Sequence, residues 1–169
     1  MADIKVYQLG LGNFGRHGFE KFVEMHNHLE TVDVELAGLA EKDYEKRKAA
    51  EKFAEANELE LNTFRKVKEF YKAAVAEDED VIVYDASPSR SHAENIYTSV
   101  NNGLFHIAEK PPSLAREEHI KERKLAKSHD VFWKVDFIER ESPVVKKAVE
   151  VLEDEKIDSI EGFRESSLG

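Results

Sequence analysis

A doubly wound α/β fold, in which a parallel sheet lies between two layers of helices, is the class that the sequence predicts. Apolar strand-like runs alternate with amphipathic helix-like segments along nearly the whole chain, a pattern typical of βαβ units. The first strand also leads directly into a glycine-rich turn that is followed by a helix. At 169 residues the chain is long enough for one sizeable domain with a core of its own.

The six expected strands are short apolar runs that are rich in β-branched residues and are bounded by polar or glycine-containing turns. They cover residues 4–9, 32–40, 59–64, 80–85, 104–108 and 131–137. The fourth run, from Asp80 to Asp85, is a compact apolar segment, as expected for a strand buried on both faces. With right-handed crossovers, we expect the strand order 3-2-1-4-5-6.

The five expected helices lie between these strands and combine an apolar stripe with many charged residues. They run from just after Gly15 to about residue 28, and over about residues 43–58, 66–77, 92–101 and 113–128. In the second helix, Ala49, Phe53 and Ala56 are spaced for one buried stripe. Asn102-Gly103 is expected to close the fourth helix with a glycine cap.

The turn after the first strand contains Gly10, Gly12 and Gly15 at the G-x-G-x-x-G spacing of a dinucleotide-binding turn. Gly10 permits a tight turn, Gly12 lets the backbone approach a pyrophosphate, and Gly15 lets the helix pack closely on the strand. The N–H groups at the start of that helix then face the phosphates. We therefore assign these glycines, with Asn13 and Phe14 between them, as cofactor-binding residues.

Glu41 follows directly after the second strand, 26 residues after Gly15, and Lys42 comes next. A carboxylate at this place accepts hydrogen bonds from ribose hydroxyls and repels a 2′-phosphate, which favours NAD. Lys42 keeps NADP open as an alternative cofactor, because an adjacent cation could pair with that phosphate. A solvated charge at the start of a charged helix is the other interpretation of Glu41. We assign both residues to the cofactor site.

The fourth and fifth strands end in proline-containing turns, at Ser87-Pro88 and at Glu109-Lys110-Pro111. In an open parallel sheet such ends lie where ligands bind, so we assign Ser87, Pro88, Glu109 and Lys110 to the cofactor site. Lys110 is also the candidate catalytic residue, because its ammonium could donate to a substrate hydroxyl. A surface lysine before a loop is the other interpretation of this residue. His92 is included as a further candidate, although a lone histidine at a helix start is more often a core residue.

The composition excludes several classes of protein. A formal charge of −10 argues against binding to nucleic acid, and there is no cysteine for a disulfide or a thiolate. The seven histidines lack the spacing of a metal site, so no metal is expected. No apolar run is long enough for a membrane span and the N-terminus does not resemble a signal peptide. A cytoplasmic location is therefore expected.

Together these motifs resemble the glucose-fructose oxidoreductase / inositol dehydrogenase / MocA family. The resemblance rests on the glycine turn, the acid after the second strand, Ser87-Pro88 with His92-Ala93-Glu94, and Glu109-Lys110-Pro111, in this order and spacing. It implies a Rossmann domain over residues 1–137 that binds NAD or NADP. It also implies that Lys110 contacts both the nicotinamide ribose and the substrate.

Residues 138–169 resemble the beginning of the second, α+β domain of this family, with a connecting helix and one strand. The family's Asp-x-Gly-x-His-x-x-Asp motif, which carries the acid-base histidine, does not occur in the sequence. We therefore expect this chain to be the N-terminal part of a longer oxidoreductase that acts on a sugar, an inositol or a related polyol. The family's subunit interface implies a homo-oligomer for the full-length protein. A non-catalytic dinucleotide-binding or sensing module is the alternative.

Overall fold

The computed structural model describes residues 4–28 and 34–136, apart from the side chains of residues 26–28. The described residues form six strands and five helices. The strands are β1 Ile4–Leu9, β2 Val34–Ala40, β3 Asn62–Phe64, β4 Asp80–Asp85, β5 Phe105–Glu109 and β6 Trp133–Asp136. The helices are α1 Asn13–His28, α2 Tyr44–Ala56, α3 Val67–Ala74, α4 Ser89–Asn101 and α5 Arg116–His129.

All six strands belong to one sheet in the order β3-β2-β1-β4-β5-β6, and every neighbouring pair is parallel. The predicted doubly wound Rossmann topology is therefore confirmed. The order reverses at β1, which pairs with β2 on one side and with β4 on the other. Leu9 is aligned with both Ala40 and Asp85, so the carboxyl ends of these three strands lie side by side. This is the crevice in which open α/β sheets bind their ligands.

Helices cover both faces of the sheet. Successive side chains of a strand point to opposite faces, so each strand contributes apolar side chains to the helices on both sides. Val6 of β1 packs in a core cluster with residues of α1 and α2, whereas Tyr7 packs with Phe70 of α3 on the other face. The hydroxyl of Tyr71 donates a hydrogen bond to the carbonyl oxygen of Asn95, which ties α3 to α4. Residues of α4 and α5 share a third cluster over β5.

Three helices begin about three residues away from their predicted starts, and the other two begin one residue away. α1 begins at Asn13, so that Gly15 lies within its first turn. α4 begins at Ser89, before His92, because Pro88 at the N-cap has extended angles that lead directly into a helix. α5 begins at Arg116, and Ser113 lies in the preceding loop, where its hydroxyl contacts the carbonyl oxygen of Ala115. The predicted starts of these three helices thus differ from the observed ones by about three residues.

The predicted buried stripe of α2 is wrong by one position. Ala50 and Ala54 are the buried residues, whereas Phe53 is 40% exposed. Ala50 and Ala54 belong to the core cluster that contains Leu36 and Leu39 of β2. The ring of Phe53 instead lies 6.0 Å from that of Phe19, centroid to centroid. The glycine cap of α4 is confirmed, since Gly103 has a φ of +74° and donates to the carbonyl oxygen of Val100.

By its internal contacts the chain divides into two units, Met1–Asp136 and Phe137–Gly169. The predicted connecting helix and strand within residues 138–169 lie outside the described residues, as do residues 32–33 of the second predicted strand. The division of the chain into two domains at residue 137 stays a prediction. None of the helices in the described ranges has the length and apolar character that crossing a membrane requires.

Candidate dinucleotide-binding site

A cleft of about 620 Å³ lies at the carboxyl ends of β1, β2 and β4, within the size range of small-molecule sites. It therefore lies where the reversal of strand order predicts a ligand. The residues that line it come from the turns after these three strands, from β3 to α3 and from the start of α4: Leu9, Gly10, Leu11, Gly12, Asn13, Phe14, Ala40, Glu41, Lys42, Lys46, Arg65, Val67, Ala86, Ser87, Pro88, Arg90, Ser91, Glu94 and Asn95.

The three glycines of the first turn differ in what surrounds them. Gly10 has a φ of +85°, and a Cβ there would lie 2.8 Å from the carbonyl oxygen of Ala86. A Cβ on Gly15 would overlap the carbonyl oxygen of Gly10, so α1 packs directly against the turn. Around Gly12, in contrast, no atom lies within 4 Å of a Cβ position. The absence of a side chain at Gly12 thus leaves space on the cleft side, which is what a bound pyrophosphate needs.

The side chain of Gln8 stabilises the glycine turn through hydrogen bonds to its backbone. Its side chain is fully buried in β1, and its Nε2 donates to the carbonyl oxygens of Gly10, at 2.9 Å, and Gly15, at 2.6 Å. The sequence analysis missed this residue. A polar side chain inside an otherwise apolar strand was the available signal, because a buried amide requires partners.

The first turn of α1 points its N–H groups at the cleft. Because α1 begins at Asn13, the first N–H groups have no partner within the helix, and Gly12, Asn13 and Phe14 all line the cleft. The positive end of the helix dipole adds to their attraction for an anion. A pyrophosphate therefore fits this end of the cleft.

Glu41 is fixed by the backbone on both of its carboxylate oxygens. Oε2 accepts a hydrogen bond from the N–H of Leu11 at 2.8 Å, and Oε1 accepts one from the N–H of Asp43 at 3.0 Å. Each oxygen retains a lone pair, so the carboxylate can still accept from ribose hydroxyls. Glu41 thus links the glycine turn to the start of α2, which the interpretation as a merely solvated charge does not explain.

Four cationic side chains line the same cleft: Lys42, Lys46, Arg65 and Arg90. Among the residues that the structure describes, none of the four has a carboxylate partner within ion-pair distance. This local excess of positive charge contrasts with the formal charge of −10 for the whole chain. It suits a ligand that carries phosphate groups.

The Ser87-Pro88 turn is held by buried polar residues that the sequence analysis did not identify. Asp85 is fully buried, and its carboxylate accepts from the N–H of Ser87 at 3.0 Å and from Nδ2 of Asn95 at 2.9 Å. Nδ2 of Asn95 also lies 3.2 Å from the hydroxyl of Ser87. An aspartate at the end of an apolar strand was the signal that could have indicated this network.

Lys110 lies beside the cleft at its Phe14 end. Its Nζ is 4.7 Å from the centroid of the Phe14 ring, a cation–π distance. The neighbouring Glu109 is buried and accepts a hydrogen bond from the hydroxyl of Tyr84 at 2.7 Å. Burial, and then this hydrogen bond, raise the pKa of Tyr84. Glu109 therefore anchors the strand end from which Lys110 extends, and it does not line the cleft.

His92 lies behind the cleft. Its side chain is 1% exposed, with Nδ1 2.8 Å from the carbonyl oxygen of Pro111 and Nε2 2.7 Å from that of Ser87. This placement agrees with the core interpretation of the residue. A direct contact between His92 and a cofactor stays a prediction without support from this geometry.

The predicted site residues thus fall into two groups. Those that line the cleft directly are Gly10, Gly12, Asn13, Phe14, Glu41, Lys42, Ser87 and Pro88. Gly15, His92 and Glu109 support the turns around it, and Lys110 contacts Phe14. In the described part of the chain, histidine, aspartate and glutamate side chains form no group that could hold a metal ion.

The parallel sheet, the glycine turn and the cation-lined cleft define a dinucleotide-binding protein of the Rossmann type. The family model for the Gfo/Idh/MocA oxidoreductases, described as an oxidoreductase family with an NAD-binding Rossmann fold, matches residues 4–137. The chain belongs to this family, and the prediction of NAD as its cofactor is confirmed at that level. A comparison with curated protein sequences found no significant match.

Solved structures with the same fold include several dehydrogenases. Myo-inositol 2-dehydrogenase from Lactobacillus plantarum has a TM-score of 0.72 at 22% identity, over 88% of this chain and 40% of its own. Scyllo-inositol dehydrogenase from Lactobacillus casei, with bound NAD(H) and scyllo-inositol, has a TM-score of 0.70 at 20% identity, over 89% and 41%.

The WlbA dehydrogenase from Thermus thermophilus, in complex with NAD and UDP-GlcNAcA, has a TM-score of 0.73 at 19% identity, over 90% of this chain and 48% of its own. At these identities the likeness establishes the fold. The chain spans less than half the length of each of these three proteins.

Proposed function

We propose that this chain is the cofactor-binding part of an NAD(P)-dependent oxidoreductase that acts on a hydroxyl group of a sugar, an inositol or a related polyol. The observation that carries the proposal is the cleft at the strand-order reversal, in which the open side of Gly12, the start of α1 and the Glu41 carboxylate face one space. Family membership and dehydrogenases of the same fold support the reaction class.

In this proposal, different parts of the cleft bind different parts of the cofactor. The N–H groups at the start of α1 hold the pyrophosphate, and the carboxylate of Glu41 accepts hydrogen bonds from the adenosine ribose. The Ser87-Pro88 turn lies against the nicotinamide ribose. When bound, the nicotinamide supplies the hydride chemistry, and the protein supplies position and electrostatics.

Lys110 is the residue that we propose to orient the substrate. An ammonium donates hydrogen bonds, so it can bind a hydroxyl or stabilise an alkoxide. It has no lone pair with which to take the hydroxyl proton. We infer that the proton acceptor and the wall of the substrate pocket lie in a second domain, as the missing histidine motif and the short span against dehydrogenases of the same fold suggest.

An assay of NADH formation across a panel of sugars and inositols tests whether the proton acceptor lies outside this chain. The 169-residue chain alone should show little or no turnover, because a positioned acid-base group contributes roughly 10²–10⁴ in rate. Joining the chain to a second domain should restore activity, and Lys110→Ala in that longer protein should depress kcat strongly. Robust turnover by the chain alone would refute the proposal that the proton acceptor lies elsewhere.

Cofactor choice gives an independent test at Glu41. The wild-type chain should bind NAD modestly more tightly than NADP, because the fixed carboxylate repels a 2′-phosphate. Glu41→Gln, which removes the charge but keeps an acceptor oxygen, should narrow or reverse that preference in calorimetric titrations. Lys42→Gln is the matched control and should widen it. A clear NADP preference in the wild-type chain would mean that the cations of the cleft outweigh Glu41.

A further inference from the structure

His92 joins two turns that come from different strands. The Ser87-Pro88 turn follows β4 and the Lys110-Pro111 turn follows β5, and the ring lies between them with one nitrogen at each turn. Both distances, 2.7 Å to the oxygen of Ser87 and 2.8 Å to that of Pro111, are those of well-formed hydrogen bonds. The side chain is 1% exposed, so water cannot replace either partner.

The two partners of the ring are both carbonyl oxygens, which accept hydrogen bonds and cannot donate them. A neutral imidazole carries one N–H donor and one acceptor nitrogen, so it can satisfy only one of the two carbonyls. The other contact would then bring two lone pairs together in a buried place. Only a ring with protons on both nitrogens donates to Ser87 and Pro111 at once.

One buried carboxylate, that of Asp85, lies beside the ring and balances a cationic His92. At the end of β4, the fully buried Asp85 has an oxygen 4.0 Å from Nε2, and its carboxylate is held by the N–H of Ser87 and by Asn95. On α5, burial and then the charge of Glu118 raise the pKa of Glu122 to about 7, so this carboxyl group adds at most part of a negative charge at neutral pH. In β5, burial lowers the pKa of His106 to about 4, so His106 is neutral at neutral pH.

We propose that His92 is a positioning residue, protonated on both ring nitrogens, that clamps the Lys110-Pro111 turn to the Ser87-Pro88 turn and so fixes Lys110 beside the nicotinamide end of the cleft. The clamp explains how an exposed lysine on a loop is held in register with a cleft built from other strands. Its effect on the reaction rests on the proposed function, since that is where Lys110 acts.

The protonation of the ring can be measured without any cofactor. Long-range ¹H–¹⁵N correlation spectra of the ¹⁵N-labelled 169-residue chain report whether each histidine nitrogen carries a proton. The His92 signals are identified by their loss in His92→Gln. We expect both nitrogens of His92 to be protonated at neutral pH. A spectrum with one bare nitrogen would overturn the proposal.

The second measurement follows Lys110 itself. Its side-chain signal comes from reductively ¹³C-methylated protein and is identified by its loss in Lys110→Arg. The signal should shift in His92→Gln, because the amide nitrogen that replaces the ring cannot donate to both turns at once. His129→Gln changes an exposed histidine of α5 and should leave the signal as in wild type. An unchanged signal in His92→Gln would contradict the clamp.

NAD affinity links the clamp to the site. His92→Ala should weaken NAD binding, because it removes the contacts that fix the Ser87-Pro88 turn of the cleft, and His92→Gln should recover part of the lost affinity. If His92→Ala fails to fold, the two spectroscopic measurements decide the question. If NAD does not bind the wild-type chain while both nitrogens of His92 are protonated, the proposed function fails and the clamp stands.

Discussion

Gly12 and Gly15 lie three residues apart, yet a side chain at each would have opposite effects. A Cβ on Gly15 would overlap the carbonyl oxygen of Gly10, whereas one on Gly12 would meet no protein atom. Gly15→Ala should therefore lower the free energy of unfolding by about 1–3 kcal/mol, the usual range for overpacking. Gly12→Ala should change it by less than about 0.5 kcal/mol. Urea unfolding of both variants checks this, and equal stabilities would contradict the packing.

Glu122 is a buried acid on α5 whose charged form the fold opposes. Its side chain is fully buried, and Oε2 lies 3.6 Å from Nδ1 of His119, beyond hydrogen-bond distance. Burial, and then the charge of Glu118, raise the pKa of Glu122 from 4.5 to about 7. The folded protein thus favours the neutral acid. The stability contributed by this residue is present below about pH 4.5 and is lost as the pH rises through 7.

Glu122→Gln should for this reason stabilise the protein more at high pH than at low pH. The neutral amide has nearly the same shape and cannot ionise, so the difference in unfolding free energy from wild type should grow in its favour between pH 4.5 and pH 8. Denaturation curves at several pH values measure it. Glu117→Gln, at an exposed acid of the same helix, is the control and should show no such growth. A pH-independent difference for Glu122→Gln would show that the carboxylate is not destabilised.

At the scale of single elements, α2 depends on a cap that also borders the site. Asp43 accepts a hydrogen bond from the N–H of Lys46 at 3.1 Å through its side chain, and its own N–H donates to Glu41. Asp43→Ala should cost about 0.5–2 kcal/mol of stability, the usual value of an N-cap. Asp43→Ser should restore most of it.

NAD affinity should change little in Asp43→Ala, because the N–H that holds Glu41 belongs to the backbone and remains. Thermal unfolding and calorimetry on the same samples separate the two effects. A large loss of affinity with unchanged stability would mean that the Asp43 side chain itself contacts the ligand.

Element type and strand order could be predicted from the sequence because they follow from local pattern. β1 and β4 were located to the residue, since each is an apolar run between clear turn signals. The buried stripe of α2 could not be located to the residue, because Ala50 and Ala54 are no more apolar than the alanines beside them. Which alanine faces the sheet is decided by how closely the helix approaches it, and that is a tertiary property.

At the scale of the whole molecule, the sequence identified the residues that face the cleft better than those that hold it together. Gly12 belongs to a motif of fixed spacing, and Glu41 follows the end of a strand. Both features can be recognised in the sequence alone. Gln8 donates to carbonyl oxygens of the glycine turn and of α1, and the side chains of Asp85 and Asn95 bond to each other from different elements. Their partners become known only when the strands are side by side.

We expect this chain to bind a nicotinamide dinucleotide with its pyrophosphate against Gly12. The most direct measurement is a calorimetric titration of NAD into the wild-type chain and into Gly12→Val, with thermal unfolding of both proteins as the control for folding. We predict binding at one site in the wild-type chain and no detectable binding in Gly12→Val, because the branched side chain occupies the place of the pyrophosphate. A folded wild-type chain that does not bind NAD, or a Gly12→Val variant that binds it as tightly, would contradict the account.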